Sequence, residues 1–533
     1  MPDPTPSPPT TTPTNKHPAP RASRSPLAAL RWAVLAIAVW AVCWVGLGLA
    51  PLNRTEGHRA IPAWELLERG ELFPTRLFGQ VYLNKPPGMP WAIAGATLLT
   101  GERDAWTARA VSAGSMTALV LLSAFFAGRW FGAPLAGGVG VLATCGYWAV
   151  ARSADIEAAL CLATALAVLP MVEVLARPGD PGRPSARFGW GTLAAAGLAA
   201  AVVLKGPAVL PAAGGALLGC ALAAGWRAAL LRWWTLGVLA TAAAAVGALA
   251  LALAGRLPDA EPAVTQSVGE FLWRPEQIPG ILLFPLGALA LGLPATLGVL
   301  FPWGPDARAE VDETDARVGS EAFARARALA AGCLAAMALA MLAGLANPRY
   351  GLPALVLAGP LLGYVAIGAE GRFDRLRARL ARFALLGRPW TLAAALAAAG
   401  YVYGVHIRPE GRDGGRLWGH AVAHAVAQLR PDRPATVWAG SAAFARPEVL
   451  WYAERAADSA GIDLVGRWKP DILRTLAAQP QTDDDDAPPE FALLRASEVE
   501  RLGQTPVVAQ HLEAVAIEHP PRAREQFFLF RWR

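Results

Sequence analysis

Between Asn53 and Pro90 the chain reads NRTEGHRAIPAWELLERGELFPTRLFGQVYLNKPPGMP, a run of charges and proline turns directly behind a hydrophobic stretch. Glu56 is a carboxylate able to accept a proton, and His58 is a second base. Arg54, Arg59 and Lys85 are cations able to hold a phosphate or another anion. The same residue types recur at Arg152, Asp155 and Glu157 in ARSADIE, at Lys205 in LKGP, at Glu270 and Arg274, and at Arg349 and Tyr350 in NPRY. An ionisable group at membrane depth is costly, so it marks a cavity or a partner, although any single one could be a snorkelling interfacial side chain. A set of Lys85, Arg152, Lys205 and Arg349 converging around Glu56 describes a pocket for an anionic head group, with attack assisted by a carboxylate.

Such a pocket needs a scaffold, and the composition supplies a polytopic α-helical membrane protein: 54% of the 533 residues are hydrophobic and only 17% are charged. About 20 apolar residues cross a bilayer. Spans are expected at Leu27–Leu52, Trp106–Trp130, Leu135–Val150, Ile156–Leu175, Gly189–Leu204, Pro207–Ala224, Trp233–Ala254, Gly280–Leu300, Ala328–Ala346, Tyr350–Ile367 and Trp390–Val405, about eleven in all. The basic tail (Lys16, Arg21, Arg24, Arg31) and the loops at Arg177–Arg187 and Arg372–Arg388 then share one side. The positive-inside rule makes that side cytoplasmic. Every site cluster falls on the opposite, outer face, together with the first outer loop, 53–105. The net charge of +7 is therefore read as topology and not as nucleic-acid binding.

Residues 1–26, rich in Pro, Thr and Ser, are expected to be a disordered cytoplasmic tail, and 27–407 the transmembrane domain. From about Arg408 the pattern changes. Strand-like runs at Ala435–Ala439, Phe491–Arg495 and Gln526–Phe530 alternate with helical stretches at Arg416–Leu429 and Pro447–Ala457, which predicts a small soluble α/β domain over 408–533; the odd span number puts it outside, which in a bacterium is the periplasm, with the chain in the inner membrane. The five cysteines all fall inside expected spans and are read as small buried apolar residues. The acidic run Asp483–Asp486 reads as a solvated loop.

TE-x-HR-A from Thr55, Gly70–Leu72, YLNKPPGMPW at Tyr82–Trp91, ARSADIE, LKGP and NPRYGLP at Asn347–Pro353 together resemble the bacterial polyprenyl-phosphate-sugar glycosyltransferases of the GT-C class, relatives of lipid A aminoarabinose transferases and protein O-mannosyltransferases. The likeness covers roughly Leu27–Ile367. It implies an inverting transfer of a sugar from a polyprenyl phosphate donor to an acceptor (lipid, protein or glycan) outside the cytoplasm, with the bilayer as surroundings. Carried over by position, Glu56 is the general base, with Glu157 in reserve and His58 beside it. Arg59, Lys85, Arg152, Lys205 and Arg349 hold the donor phosphate, and Thr55, Asp155, Tyr82 and Tyr350 line the pocket or face the acceptor. The chain departs from the family where Thr55 replaces an acid and Asn84 precedes Lys85 in place of a metal-ligating carboxylate. No metal site is expected, no cofactor is required, and a divalent cation is optional. The rival reading, a transporter or flippase for a lipid-linked or anionic substrate, places its charges near the bilayer midplane and shows paired repeats; neither feature is present in the sequence.

Overall fold

The computed structural model describes residues 26–176, 184–226, 277–302 apart from 294, 313–366, 414–429, 434–502 apart from 470 and 479–488, 504–517 and 526–532, with isolated positions between 237 and 248. The N-terminal tail, most of the expected span Trp233–Ala254, the span Trp390–Val405, Glu270, Arg274, the domain boundary near Arg408 and Asp483–Asp486 lie outside the described residues.

Helix α1 (Pro26–Cys43) stops well short of the expected Leu52, because Gly46 takes a left-handed φ of 65° and breaks the helix into turns. Helix α2 (Arg54–Arg69) follows. It opens on a capping box, in which the Asn53 side chain accepts the Thr55 and Glu56 amides while Glu56 accepts the Asn53 amide, and it closes on left-handed Gly70. A two-stranded hairpin, β1 (Arg76–Leu77) and β2 (Gln80–Val81), leads to α3 (Gly88–Thr100). Then come α4 (Ala105–Phe131), α5 (Pro134–Leu142), α6 (Cys145–Ala151), α7 (Ile156–Leu175), α8 (Pro184–Lys205), α9 (Leu210–Ala224), α10 (Ile278–Leu291), α11 (Glu313–Leu342) and α12 (Ala358–Ala366).

Among the described residues, four helical stretches are long and apolar enough to cross a membrane: Ala105–Phe131, Ile156–Leu175, Phe188–Ala224 and Ser320–Leu342. The pair α5 and α6, bent by 71°, makes a fifth if counted as one span. Phe188–Ala224 is 37 residues long, about 55 Å at the rise of an α-helix and nearly twice the hydrocarbon thickness. Gly206, at φ 64°, interrupts it just after Lys205, and α8 and α9 both pack on α7. The stretch is therefore two segments meeting at Lys205. The expected span Tyr350–Ile367 is instead two short 3-10 turns, Pro348–Gly351 and Ala354–Leu357, followed by the nine-residue α12, since Pro353 and Pro360 interrupt a continuous ladder. Cysteines 43, 161, 220 and 333 are buried as expected, whereas Cys145 is exposed at the α5–α6 bend. Helices α9 and α11 meet through small residues: a Cβ on Gly219 would stand 2.2 Å from the Ala328 carbonyl.

Residues 414–532 form a five-stranded sheet in the order β4-β3-β5-β7-β6, from β3 (Ala435–Ala439), β4 (Leu464–Trp468), β5 (Phe491–Arg495), β6 (Leu512–Val515) and β7 (Phe527–Trp532). β4, β3 and β5 run parallel, and β7 and β6 pair antiparallel. Helices α13 (Gly414–Leu429) and α15 (Pro447–Ser459) pack together against it, after the short α14 (Ser441–Ala445). Glu498 is buried just beyond the end of β5, where it accepts the Ser441 amide at 2.8 Å and the Arg495 amide at 2.9 Å.

This sheet domain sits on α2 and the hairpin. Trp451 stacks on Trp64 with ring centroids 4.8 Å apart, the Tyr452 hydroxyl accepts the Leu52 amide at 2.9 Å, and the Trp468 amide donates to the Phe78 carbonyl at 3.3 Å. A polar cleft of about 1090 Å³ remains between them, walled by Glu65, Glu68 and Phe78 on one side and by Glu454, Arg455 and Arg467 on the other. We call the end of the helices covered in this way the outer end.

Candidate active site

The four motif clusters inside the described residues meet at the outer end. Asp155 caps the first amide of α7, and Glu157 lies in the first turn of that helix. Lys205, at the α8–α9 break, donates to Glu157 Oε1 at 2.9 Å while its ammonium sits 4.5 Å over the Tyr350 ring. Arg349 is presented by the 3-10 turn that the Asn347 side chain caps at 3.0 Å. It bridges both acids, bonding Asp155 and reaching Glu157 Oε2 at 2.8 Å. The two carboxylates are nearly closed off, but Arg349 is 39% exposed, so the cluster opens to the outside through it.

Arg59, from α2, lies within electrostatic reach of Asp155 and donates to the Tyr82 hydroxyl at 3.3 Å. The His58 ring stacks on Tyr82 at 5.7 Å and donates through Nδ1 to the Arg54 carbonyl at 2.8 Å. Lys85 is half-buried on the turn after β2. Asp155, Glu157, Lys205 and Arg349, far apart in sequence, thus share one opening with Arg59 in electrostatic reach, an arrangement able to hold an anion with the cations and take a proton with a carboxylate.

Glu56 is wired differently from what a general base requires. Its carboxylate takes N–H groups from Asn53 (2.8 Å), Ala154 (3.0 Å) and Arg109, whose Nε and Nη2 each approach to 2.7 Å, and it is 1% exposed. Burial pushes its pKa up, but the charge and hydrogen bonds of Arg109, with the two amides, outweigh that and hold it below the usual carboxylate range. A carboxylate kept ionised with both oxygens occupied ties α2, α4 and the Ala154 loop together and has no free face for an acceptor hydroxyl. Thr55 is exposed and bonds back to the Asn53 cap at 2.8 Å. Arg152 is engaged elsewhere as well. Its Nη1 and Nη2 donate to the Val42 and Val45 carbonyls at 3.0 and 2.6 Å, holding the end of α1.

Arg109 is the partner that the motifs do not reveal. It also donates to the Leu47, Ala50 and Pro51 carbonyls at 2.7–2.8 Å. A signal was present, since Arg109 and Arg129 are the only charged residues in the stretch Trp106–Trp130. Arg129 belongs to a second network at the opposite end of α7. There Glu173 accepts Arg129 Nε at 2.9 Å and Trp130 Nε1 at 2.6 Å, with Arg325 Nε 3.7 Å away. Among the described residues no group of three metal-ligating side chains is assembled.

No family model and no curated protein matches the sequence. Two solved structures are similar in fold over nearly the whole chain. The apo crystal structure of ArnT from Cupriavidus metallidurans superposes with a TM-score of 0.60 at 18% identity, covering 94% of this chain and 98% of that one. The structure of the same protein bound to undecaprenyl phosphate gives a TM-score of 0.60 at 17% identity, covering 95% and 98%. The chain shares the fold of these two structures.

Proposed function

We propose that the chain is an inverting glycosyltransferase of the bacterial inner membrane that moves a sugar from a polyprenyl phosphate donor to an acceptor hydroxyl at the outer end, which would be the periplasmic side. The observation that carries this reading is the partly open cluster of Asp155, Glu157, Lys205 and Arg349 at interrupted helix ends. Support comes from the shared fold with ArnT, a structure of which holds undecaprenyl phosphate.

In the resting arrangement the acids neutralise the cations. A donor phosphate entering through the Arg349 opening competes for Lys205 and Arg349, with Arg59 and Lys85 at its flanks. As the cations turn to the phosphate, the carboxylate they leave gains proton affinity, because an opposite charge within about 4–6 Å favours the ionised form. Asp155 or Glu157 then takes the proton of the acceptor hydroxyl, and that oxygen attacks the anomeric carbon from the face opposite the leaving group. The bond from the anomeric carbon to the phosphate oxygen breaks with its electron pair remaining on the lipid phosphate. Lys205 and Arg349 offset the charge that develops there. The acceptor's identity and the sugar are properties of the cleft and loops beyond this core.

The test is transfer from a labelled polyprenyl phosphate sugar by the purified protein, compared with Asp155→Asn and Glu157→Gln. Loss of transfer in at least one of the two, with donor still bound, is expected. Normal turnover in the double variant would remove the carboxylates from the chemistry.

A further inference from the structure

The hairpin that precedes Tyr82 and Lys85 turns through Phe78 and Gly79, whose φ values are 49° and 80°. With Leu77 paired to Gln80, these are the two central residues of a two-residue loop with φ positive at both, the geometry of a type I′ turn. Such turns favour Asn-Gly; a bulky aromatic residue in the left-handed region is disfavoured and does not hold the turn by its own preference. An external grip is present. The Glu65 carboxylate on α2 accepts both tip amides, that of Phe78 on Oε1 and that of Gly79 on Oε2 at 3.0 Å. Glu65 is 12% exposed, and Arg69 Nε stands 3.9 Å from its Oε2. From the other side the Trp468 amide of the sheet domain donates to the Phe78 carbonyl.

The stem of this hairpin runs straight into the candidate site. The Tyr82 amide and carbonyl are both fixed by Thr75, at 2.8 and 2.6 Å, and its hydroxyl meets Arg59. Lys85 follows three residues later. We propose that Glu65 is a positioning residue of the transfer site: by clamping the Phe78–Gly79 tip it fixes the register in which Tyr82 and Lys85 face the donor phosphate, without touching the donor itself. This rests on the glycosyltransferase reading for its consequence, but the clamp is measurable without turnover.

In Glu65→Gln one side-chain oxygen is replaced by an amide that faces a tip N–H and cannot accept it. Hydrogen exchange of the full-length protein should then quicken by about tenfold or more at Phe78 and Gly79 and stay unchanged in α4 and α7, since a hydrogen bond to a charged group contributes roughly 1.5–3 kcal/mol. Affinity for polyprenyl phosphate should fall by about tenfold by the same measure, with kcat at saturating donor within about twofold and acceptor KM unchanged. Gly79→Ala strains the same tip from the other side and should reproduce the donor effect even if Glu65→Gln folds poorly. Unchanged tip exchange, or a loss confined to kcat, would overturn the clamp. Absence of any transfer by the wild type, with the exchange difference intact, would sink the functional reading and leave the clamp standing.

Discussion

The two ends of α7 carry almost the same inventory of charge and use it in opposite ways. At the inner end Glu173 is 2% exposed and is held by Arg129, Trp130 and Arg325, all of them on the uninterrupted helices α4 and α11. At the outer end Asp155 and Glu157 meet Lys205 and Arg349, which stand on a helix break and a 3-10 turn. Cations carried by continuous helices are fixed by the packing of those helices. Cations on interrupted backbone can shift to a competing anion at small cost to the fold. The inner network is a fastening; in the proposed reaction the outer one yields its cations to the donor phosphate.

Glu56 separates wiring from location, because it lies at the outer end but is fastened like Glu173. Glu56→Gln leaves Arg109 buried without its counter-charge, with only backbone carbonyls and a neutral amide around it, and removing one partner of a buried pair costs about 3–5 kcal/mol. Both Glu56→Gln and Glu173→Gln should therefore reduce folded yield and lower Tm by several degrees, while surviving protein keeps its kcat. A kcat loss in Glu56→Gln at unchanged Tm would restore it as the base and erase the distinction. Next in size is Glu157→Gln, expected to lose at least about a hundredfold in turnover, the lower bound for a general base and close to 2.7 kcal/mol, with a smaller fall in Tm than Glu56→Gln because Asp155 still faces the part-exposed Arg349. Should single-turnover rates survive that change, Asp155 alone would carry the proton.

Lys205→Met is expected to raise donor KM by about tenfold, as loss of a hydrogen bond to a charged group implies, and to affect acceptor KM little. The smallest effect concerns Glu454, on the sheet-domain side of the cleft. Burial, reinforced by Glu65 and Glu68, pushes its pKa from 4.5 up to about 8 against the pull of the Gly466 amide. The folded state then holds a proton that the unfolded chain releases above about pH 4.5. This contribution to stability is complete below that pH and is lost as pH rises towards 8. Melting curves between pH 5 and 8 should drift downward with pH, and Glu454→Gln should flatten the drift; an identical slope in both proteins would refute the assignment.

The sequence alone predicted that ARSADIE, LKGP and NPRY would share one face with the first outer loop, because charge flanking long apolar runs fixes which ends lie together. Partners were another matter. Glu157 pairs with residues 48 and 192 positions away, and nothing in composition says that Arg349 chooses the acids while Arg152 chooses the Val42 and Val45 carbonyls. Rotation about each helix axis decides that, and hydropathy does not encode rotation when a helix is apolar all round. The same blindness made Leu27–Leu52 and Tyr350–Ile367 look continuous, although Gly46 and the prolines at 353 and 360 divide them. In the sheet domain β3 and β5 fall on the short apolar runs that flanking polar segments mark out, since short strands between polar loops leave a local signature.

Glu498 limits what the sheet domain can do alone. In the order β4-β3-β5 the chain crosses from one side of β3 to the other, and the gap between β3 and β5 is the place where open parallel sheets receive a ligand against free loop amides. Here the amides of Ser441 and Arg495 already face an internal carboxylate, and a Cβ on Gly440 would collide with it at 2.3 Å. A nucleotide or other phosphate approaching that gap meets a buried carboxyl group where it would need donors. The parallel strand order of this domain therefore does not by itself make the β3–β5 gap a phosphate site, and the open cleft of the domain is the one it shares with α2.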